Sequence, residues 1–126
     1  VSFQMEESFI ARHGDCIGAD DEFHQICNLR LIPIHIHPCD ISDKRAFNDE
    51  TADKVYPVKP PLERNHDIVN NSDVLIACPK EYEEELRSGT WATIRYARKR
   101  AIPIHIIYPD GQWESECNMK EKGLIE

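Results

Sequence analysis

One arrangement occurs twice in this chain of 126 residues and constrains its fold more than any other feature. Leu31-Ile32-Pro33-Ile34-His35-Ile36-His37-Pro38 is matched by Ala101-Ile102-Pro103-Ile104-His105-Ile106-Ile107-Tyr108-Pro109. Each stretch follows a segment of helical spacing, and each such segment follows an apolar run and a glycine-bearing loop. Strand, glycine loop, helix and strand, repeated, predict a mainly parallel sheet with helices on both faces, a three-layer α/β domain. In the first copy, residues 9–13 are the strand and 14–20 the tight loop. Residues 20–31 are the helix, through Phe23, Ile26 and Cys27, and 31–37 the returning strand. In the second copy, residues 74–78 (Val-Leu-Ile-Ala-Cys) read as a short buried strand stopped by Pro79. Residues 90–100 have helix composition, and 102–108 form the last clear strand before the turn Pro109-Asp110-Gly111. Sheets of this type bind ligands at the carboxyl ends of their strands. His13-Gly14 and Cys78-Pro79 stand at such ends, so the two loops are expected to face one crevice.

Between the copies, residues 39–61 show little periodicity and many prolines, the mark of a long functional loop or lid. Residues 62–71 are helical, with Leu62, Ile68 and Val69 as apolar contacts. Residues 1–3 are short for a strand, 4–7 suit a helix tail, and 112–126 read as a polar tail or an edge packing through Trp113. The length predicts one domain with one core. No run reaches the roughly 18 apolar residues of a membrane span. A net charge of -8 argues against sequence-blind binding to DNA or RNA. Five cysteines without a CxxC pair, and no leader pattern, predict free thiols in a reducing cytoplasm.

The densest chemistry lies in Arg87-Ser88-Gly89-Thr90. A small-residue turn at a helix start aims free backbone N–H groups and the positive helix end at one point, a ready anion site. Arg87 adds a fork donor beside it; the plainer reading is that Ser88 only caps the helix. Asp15 and Asp20 suit an acid/base pair or ribose hydroxyls, and Asp20 equally suits a helix cap. Arg64 and Asn65 open a helix near a strand edge, as phosphate or base contacts or as a solvated turn. His35, His37 and Cys39 alternate on one strand face, but no fourth ligand stands at a telling spacing, and no metal or other cofactor is expected. Trp91 suits the core or a subunit contact. Residues 81–85 read as a solvated acidic loop that Arg95 and Arg98 could pair.

The ordered pair Gly14-Asp15-Cys16-Ile17-Gly18-Ala19-Asp20 and Arg87-Ser88-Gly89-Thr90-Trp91-Ala92-Thr93 resembles the SLOG superfamily of Rossmann-like domains. Leu62-Glu63-Arg64-Asn65 and Ser72-Asp73-Val74-Leu75-Ile76-Ala77 add to the likeness, which covers about residues 9 to 109. Relatives in that superfamily include the Lonely Guy phosphoribohydrolases, the DNA-processing protein A core and the nucleotide-sensing domain of TRPM channels. The resemblance implies a nucleotide or nucleotide-derived ligand over the carboxyl edge of the sheet. Its phosphate would lie on Ser88, Gly89 and Thr90, with Gly14, Gly18, Ala19 and Asp20 on the sugar side. Two departures stand out. The family opens with a full strand, for which only residues 1–3 are available here, so the usual first strand is expected to be lacking. The phosphoribohydrolases carry a catalytic Glu three residues after the Gly-Thr threonine; this chain has Thr93, and a hydroxyl cannot replace a carboxylate as acid or base.

The leading expectation is a nucleotide-binding sensor or carrier. An N-glycosidic hydrolase using Asp15, Asp20 or Glu63 is the rival, and a structural subunit with a decayed site is a third reading. Trp91, Ile94 and Ala97 share one side of their helix while Tyr96 points away from it. An uncovered Tyr96 and an exposed sheet edge predict a homodimer or a dimer of dimers.

Overall fold

The computed structural model describes residues 9–117. The expected elements at residues 1–3 and 4–7, and the tail from 118 on, lie outside them. The chain divides into two compact units, Val1–Arg64 and Asn65–Glu126. Both are mixed α/β.

In the first unit, β1 (Ala11–His13) leads through α1 (Ala19–Leu29) to β2 (Ile34–Ile36), and β3 (Lys54–Val55) lies beyond β2. All three strands are parallel, in the order β1-β2-β3. Residues 39–61 are therefore not a bare loop. They hold β3 and two short 3₁₀ turns, Ser42–Lys44 and Asp49–Thr51. A two-residue strand carries too little alternation to register as period two in sequence. The core gathers Ala11, Ile34 and Ile36 from the sheet with Cys27 from α1, and Phe23, Ile32 and Ala52 pack against it.

The second unit runs from α2 (Pro61–Asn70), which begins in the first, through β4 (Leu75–Ala77), α3 (Gly89–Arg100), β5 (Ile104–Ile107) and β6 (Trp113–Glu116). β4 and β5 are parallel, and β6 pairs antiparallel with β5. The parallel sheet expected from sequence is thus realised as two three-stranded sheets, one ending in an antiparallel edge. Residues 112–116 are that edge; Trp113 stays 66% exposed, edge-on to His105, instead of anchoring it in the core. Val69 of α2 and Trp91, Ile94 and Ala97 of α3 pack on Leu75, Ala77, Ile104 and Ile106. Trp91 is the core residue its spacing allows. Burying a side chain such as Ile94 contributes about 2 kcal/mol.

The repeated motif has a shared physical cause. Both α1 and α3 end on a residue in the left-handed region, Leu31 (φ 58°) and Ala101 (φ 61°). The following amide of Ile32 donates to Cys27 O at 2.9 Å, and that of Ile102 to Ala97 O at 3.3 Å. Leu31 N and Ala101 N close the inner bonds to Asn28 O and Arg98 O. These are paired Schellman ends, each with its apolar contact, Ile32 near Cys27 and Ile102 near Ala97. Pro33 and Pro103 then stop the helix from continuing. Their carbonyls accept from Ala11 N (2.9 Å) and Leu75 N (3.0 Å), starting the two parallel ladders.

Candidate functional site

The loop after β1 is organised by two carboxylates that turn inward. Asp15 has φ 60° and is fully buried. Its Oδ2 accepts from Arg45 Nε (3.1 Å), Arg45 Nη2 (2.9 Å) and Phe47 N (3.0 Å), and its Oδ1 from Asn48 N (3.2 Å). Asp15 thereby ties residues 45–48 to the β1 end and presents no oxygen to solvent. Asp20 does not cap α1, as its sequence position suggested. Gly18 is the N-cap residue, at φ 105°, and no side chain caps this helix. Asp20 Oδ2 instead accepts from Gly14 N and Cys16 N, both at 3.1 Å. A loop expected to face a ligand crevice is thus held by its own carboxylate. Ala19, next in chain to Gly18, starts the helix and is exposed.

Arg64, in the first turn of α2, lies across the carboxyl ends of β1 and β2. Its Nη1 donates to Gly14 O at 2.7 Å and to His37 O at 3.1 Å, and its Nη2 approaches Cys16 Sγ at 3.6 Å. A Cβ on Gly14 would stand 2.2 Å from Arg64 Nη1, so this glycine makes room for the guanidinium. Arg64 is only 6% exposed, its Nε has no hydrogen-bond partner, and no carboxylate pairs with it among the described residues. Burial, ahead of the charge of Asp20, pushes the Cys16 thiol up; the Arg64 charge opposes both.

The turn before α3 is built as a helix start. Ser88 Oγ accepts from Trp91 N at 3.2 Å, so the capping reading holds for this residue. No carboxylate stands in the first turn of α3. Arg87 and Gly89 are exposed, Thr90 is half-buried, and a Cβ on Gly89 would meet open space. The chain's own packing does not require glycine there. Arg95 fixes the preceding acidic loop, donating to Glu84 Oε2 (2.9 Å) and to the carbonyls of Glu85 and Leu86, and Arg98 reaches Glu84 and Glu116. Those hydrogen bonds from Arg95 and Arg98 hold the Glu84 carboxyl below the usual range. Thr93 Oγ1 donates back to Gly89 O at 3.0 Å. Asn65 is half-buried in α2 and makes none of these contacts. Tyr96 is not left bare: it stacks on His66 at 3.8 Å and donates to Asn70 Oδ1 at 2.9 Å.

Three buried side-chain polar atoms among the described residues lack a partner: Arg64 Nε, Glu81 Oε1 and Trp91 Nε1. Arg64 caps the ends of β1 and β2, while Glu81 and Trp91 follow the end of β4. Unpaired polar atoms are costly, and that of Arg64 stands at the carboxyl ends of β1 and β2, where α/β sheets take ligands.

Sequence reasoning missed two features of the first unit. Arg45 is the counterion of Asp15, 30 residues away, and no local spacing reveals it. His13 and His24 form a buried relay. Asp15 N donates to His13 Nδ1 (2.8 Å), which leaves the proton on Nε2 to donate to His24 Nδ1 (2.9 Å). His24 Nε2 then donates to Thr51 Oγ1 at 2.7 Å, and Thr51 to Asn48 O. Burial is the main cause that lowers the His13 pKa.

Comparison with protein-family profiles, with curated proteins and with solved structures finds no match to this chain.

Proposed function

We propose that the chain binds a nucleotide or nucleotide-derived small molecule at the carboxyl ends of its parallel strands, as a sensor or carrier, on a Rossmann-like fold of the SLOG type. The observation that carries the reading is Arg64: a buried guanidinium with one unpaired N–H and no carboxylate, held over a glycine at the ends of two parallel strands. Buried cations without a counter-charge are costly, and an anionic ligand supplies one. The open first turn of α3 supports a phosphate there through Ser88, Gly89 and Thr90, with Arg87 beside it. Gly14, Gly18, Ala19 and Asp20 belong to the sugar side in this reading. Asp15 contributes by holding the loop rather than by touching the ligand. A metal ion is not part of the proposal, nor is nucleic acid or a membrane; no helix among the described residues is long and apolar enough to cross one. The reading also takes the chain to be cytoplasmic and a homodimer or dimer of dimers.

The rival, N-glycosidic hydrolysis, needs a carboxylate at the reacting carbon. Asp15 and Asp20 are already engaged by the protein's own donors, and Thr93 stands at the expected Glu position. Thermal-shift and calorimetric titration with nucleoside mono- and diphosphates, followed by chromatography of the incubated mixtures, tests both readings. Binding without release of free base is expected. No stabilisation by any nucleotide refutes the proposal, and steady base release that Asp20→Asn abolishes reverses the ranking.

A further inference from the structure

A second feature of the first unit lies on a sheet face, away from the loop ends. Arg12, His35 and Lys54 stand in register across β1, β2 and β3, Arg12 opposite His35 and His35 opposite Lys54. The two cations thus flank His35 from either side, and a chain with 23 acidic residues had carboxylates to place there. None pairs with Arg12 or Lys54 among the described residues. Asp53, the nearest candidate, turns back to accept from Ile34 N at 2.8 Å.

Tyr56 sits at the centre of this row. Its Oη accepts from Arg12 Nη1 at 3.3 Å and donates to His35 Nδ1 at 3.2 Å. Its ring stacks on His37 at 4.3 Å, with Lys54 Nζ 4.7 Å from the ring centroid. Arg12 Nη1 also donates to His37 Nε2, so that one nitrogen makes its hydrogen bonds to side chains, and its other edge makes none among the described residues. The row is open: Lys54 is exposed, and Arg12, His35 and Tyr56 are half-buried. The His35 pKa is lowered by burial and then by Arg12 and Lys54; the Tyr56 phenol is lowered chiefly by its bond from Arg12.

We propose that Arg12, His35, Lys54 and Tyr56 form a binding site for a small phosphate-bearing anion on the open face of the first sheet. Adjacent strands are about 4.8 Å apart, so the Arg12 and Lys54 backbones lie about 10 Å apart across the row, while Arg12 Cζ and Lys54 Nζ stand 5.8 and 4.7 Å from the Tyr56 ring centroid; a diphosphate can bridge the two cations. Arg12 supplies a planar fork and Lys54 a mobile point charge, while His35, whose Nδ1 accepts from Tyr56, keeps its Nε2–H as the donor between them.

Inorganic pyrophosphate, phosphate and chloride, at matched ionic strength, are the probes, with the His35 ring followed by NMR. Pyrophosphate is expected to bind and to raise the His35 pKa, because an anion favours the imidazolium. Arg12→Gln is expected to weaken it at least about tenfold. Lys54→Gln, at an exposed position where folding is not at issue, is expected to weaken it about threefold. Phosphate should bind more weakly than pyrophosphate. A His35 response that chloride reproduces means charge screening alone and overturns the proposal. So does a pyrophosphate affinity unchanged in Lys54→Gln and Arg12→Gln.

Discussion

Gly14 and Arg64 show how one residue's absence of a side chain serves another residue's charge. The Cβ of Gly14→Ala would lie 2.2 Å from Arg64 Nη1, so the guanidinium must leave its bond to Gly14 O. Under the proposed function this variant loses nucleotide affinity by about tenfold while remaining folded, read by calorimetry beside circular dichroism. Asp15 works in the opposite sense. Its buried carboxylate answers Arg45 and two amides, so Asp15→Asn leaves Arg45 with Asp49 as its only carboxylate partner among the described residues and is expected to cost about 3 kcal/mol in urea unfolding. A loss below about 1 kcal/mol would mean that the loop at residues 45–48 relaxes freely. His13 carries part of the pH dependence, beside His35, whose pKa is lowered too. The His13 pKa lies below the usual value near 6.5, burial being the largest cause. A His with a depressed folded pKa binds its proton more readily when unfolded. Its contribution is therefore complete above about pH 6.5 and declines as pH falls below that value. The urea midpoint should drop between pH 7.5 and 5.5, and His13→Gln should flatten that part of the profile.

At the scale of elements, the paired helix ends account for the repeated motif. Leu31 and Ala101 hold a conformation in which a Cβ costs about 1–2 kcal/mol. Both persist because the Schellman bonds and the proline that follows over-determine the turn. Leu31→Gly and Ala101→Gly are each expected to stabilise the chain by about 0.5–1 kcal/mol, the relief of strain exceeding the extra entropy of an unfolded glycine. A lowered melting temperature in both would show that the extra entropy of the unfolded glycine outweighs the strain. At the start of α3 the balance lies with the cap: Ser88→Ala removes the acceptor for Trp91 N and should cost about 1 kcal/mol.

At the scale of the whole molecule, assembly is the open prediction. Tyr96 was expected to need a partner, but His66 and Asn70 cover it within the chain, so Tyr96→Glu tests folding rather than association. On the face of β4, β5 and β6 away from α3, Ile76, Ile107 and Trp113 are exposed. The expectation of a homodimer rests on the burial of such surface. Light scattering at micromolar concentration should give two or four times the chain mass of 14.6 kDa; a monomeric mass ends the idea.

The sequence by itself determined the elements that repeat a local pattern: two strand–helix–strand units, their helix ends, the cap at Ser88 and the burial of Trp91. Each depends on residues within a few positions of one another, where propensity, capping and periodicity act. Tertiary structure alone decided the rest. β3 is two residues long and exists because β2 offers it a ladder. Asp15 and Asp20, alike in sequence, part company because Arg45 stands 30 residues from one while the amides of Gly14 and Cys16 surround the other. The Arg12–His35–Lys54 row arises from strand register, which brings together residues more than 40 positions apart. Local chemistry is written in spacing; the partner of a buried or cross-strand charge is set by which backbones pack side by side.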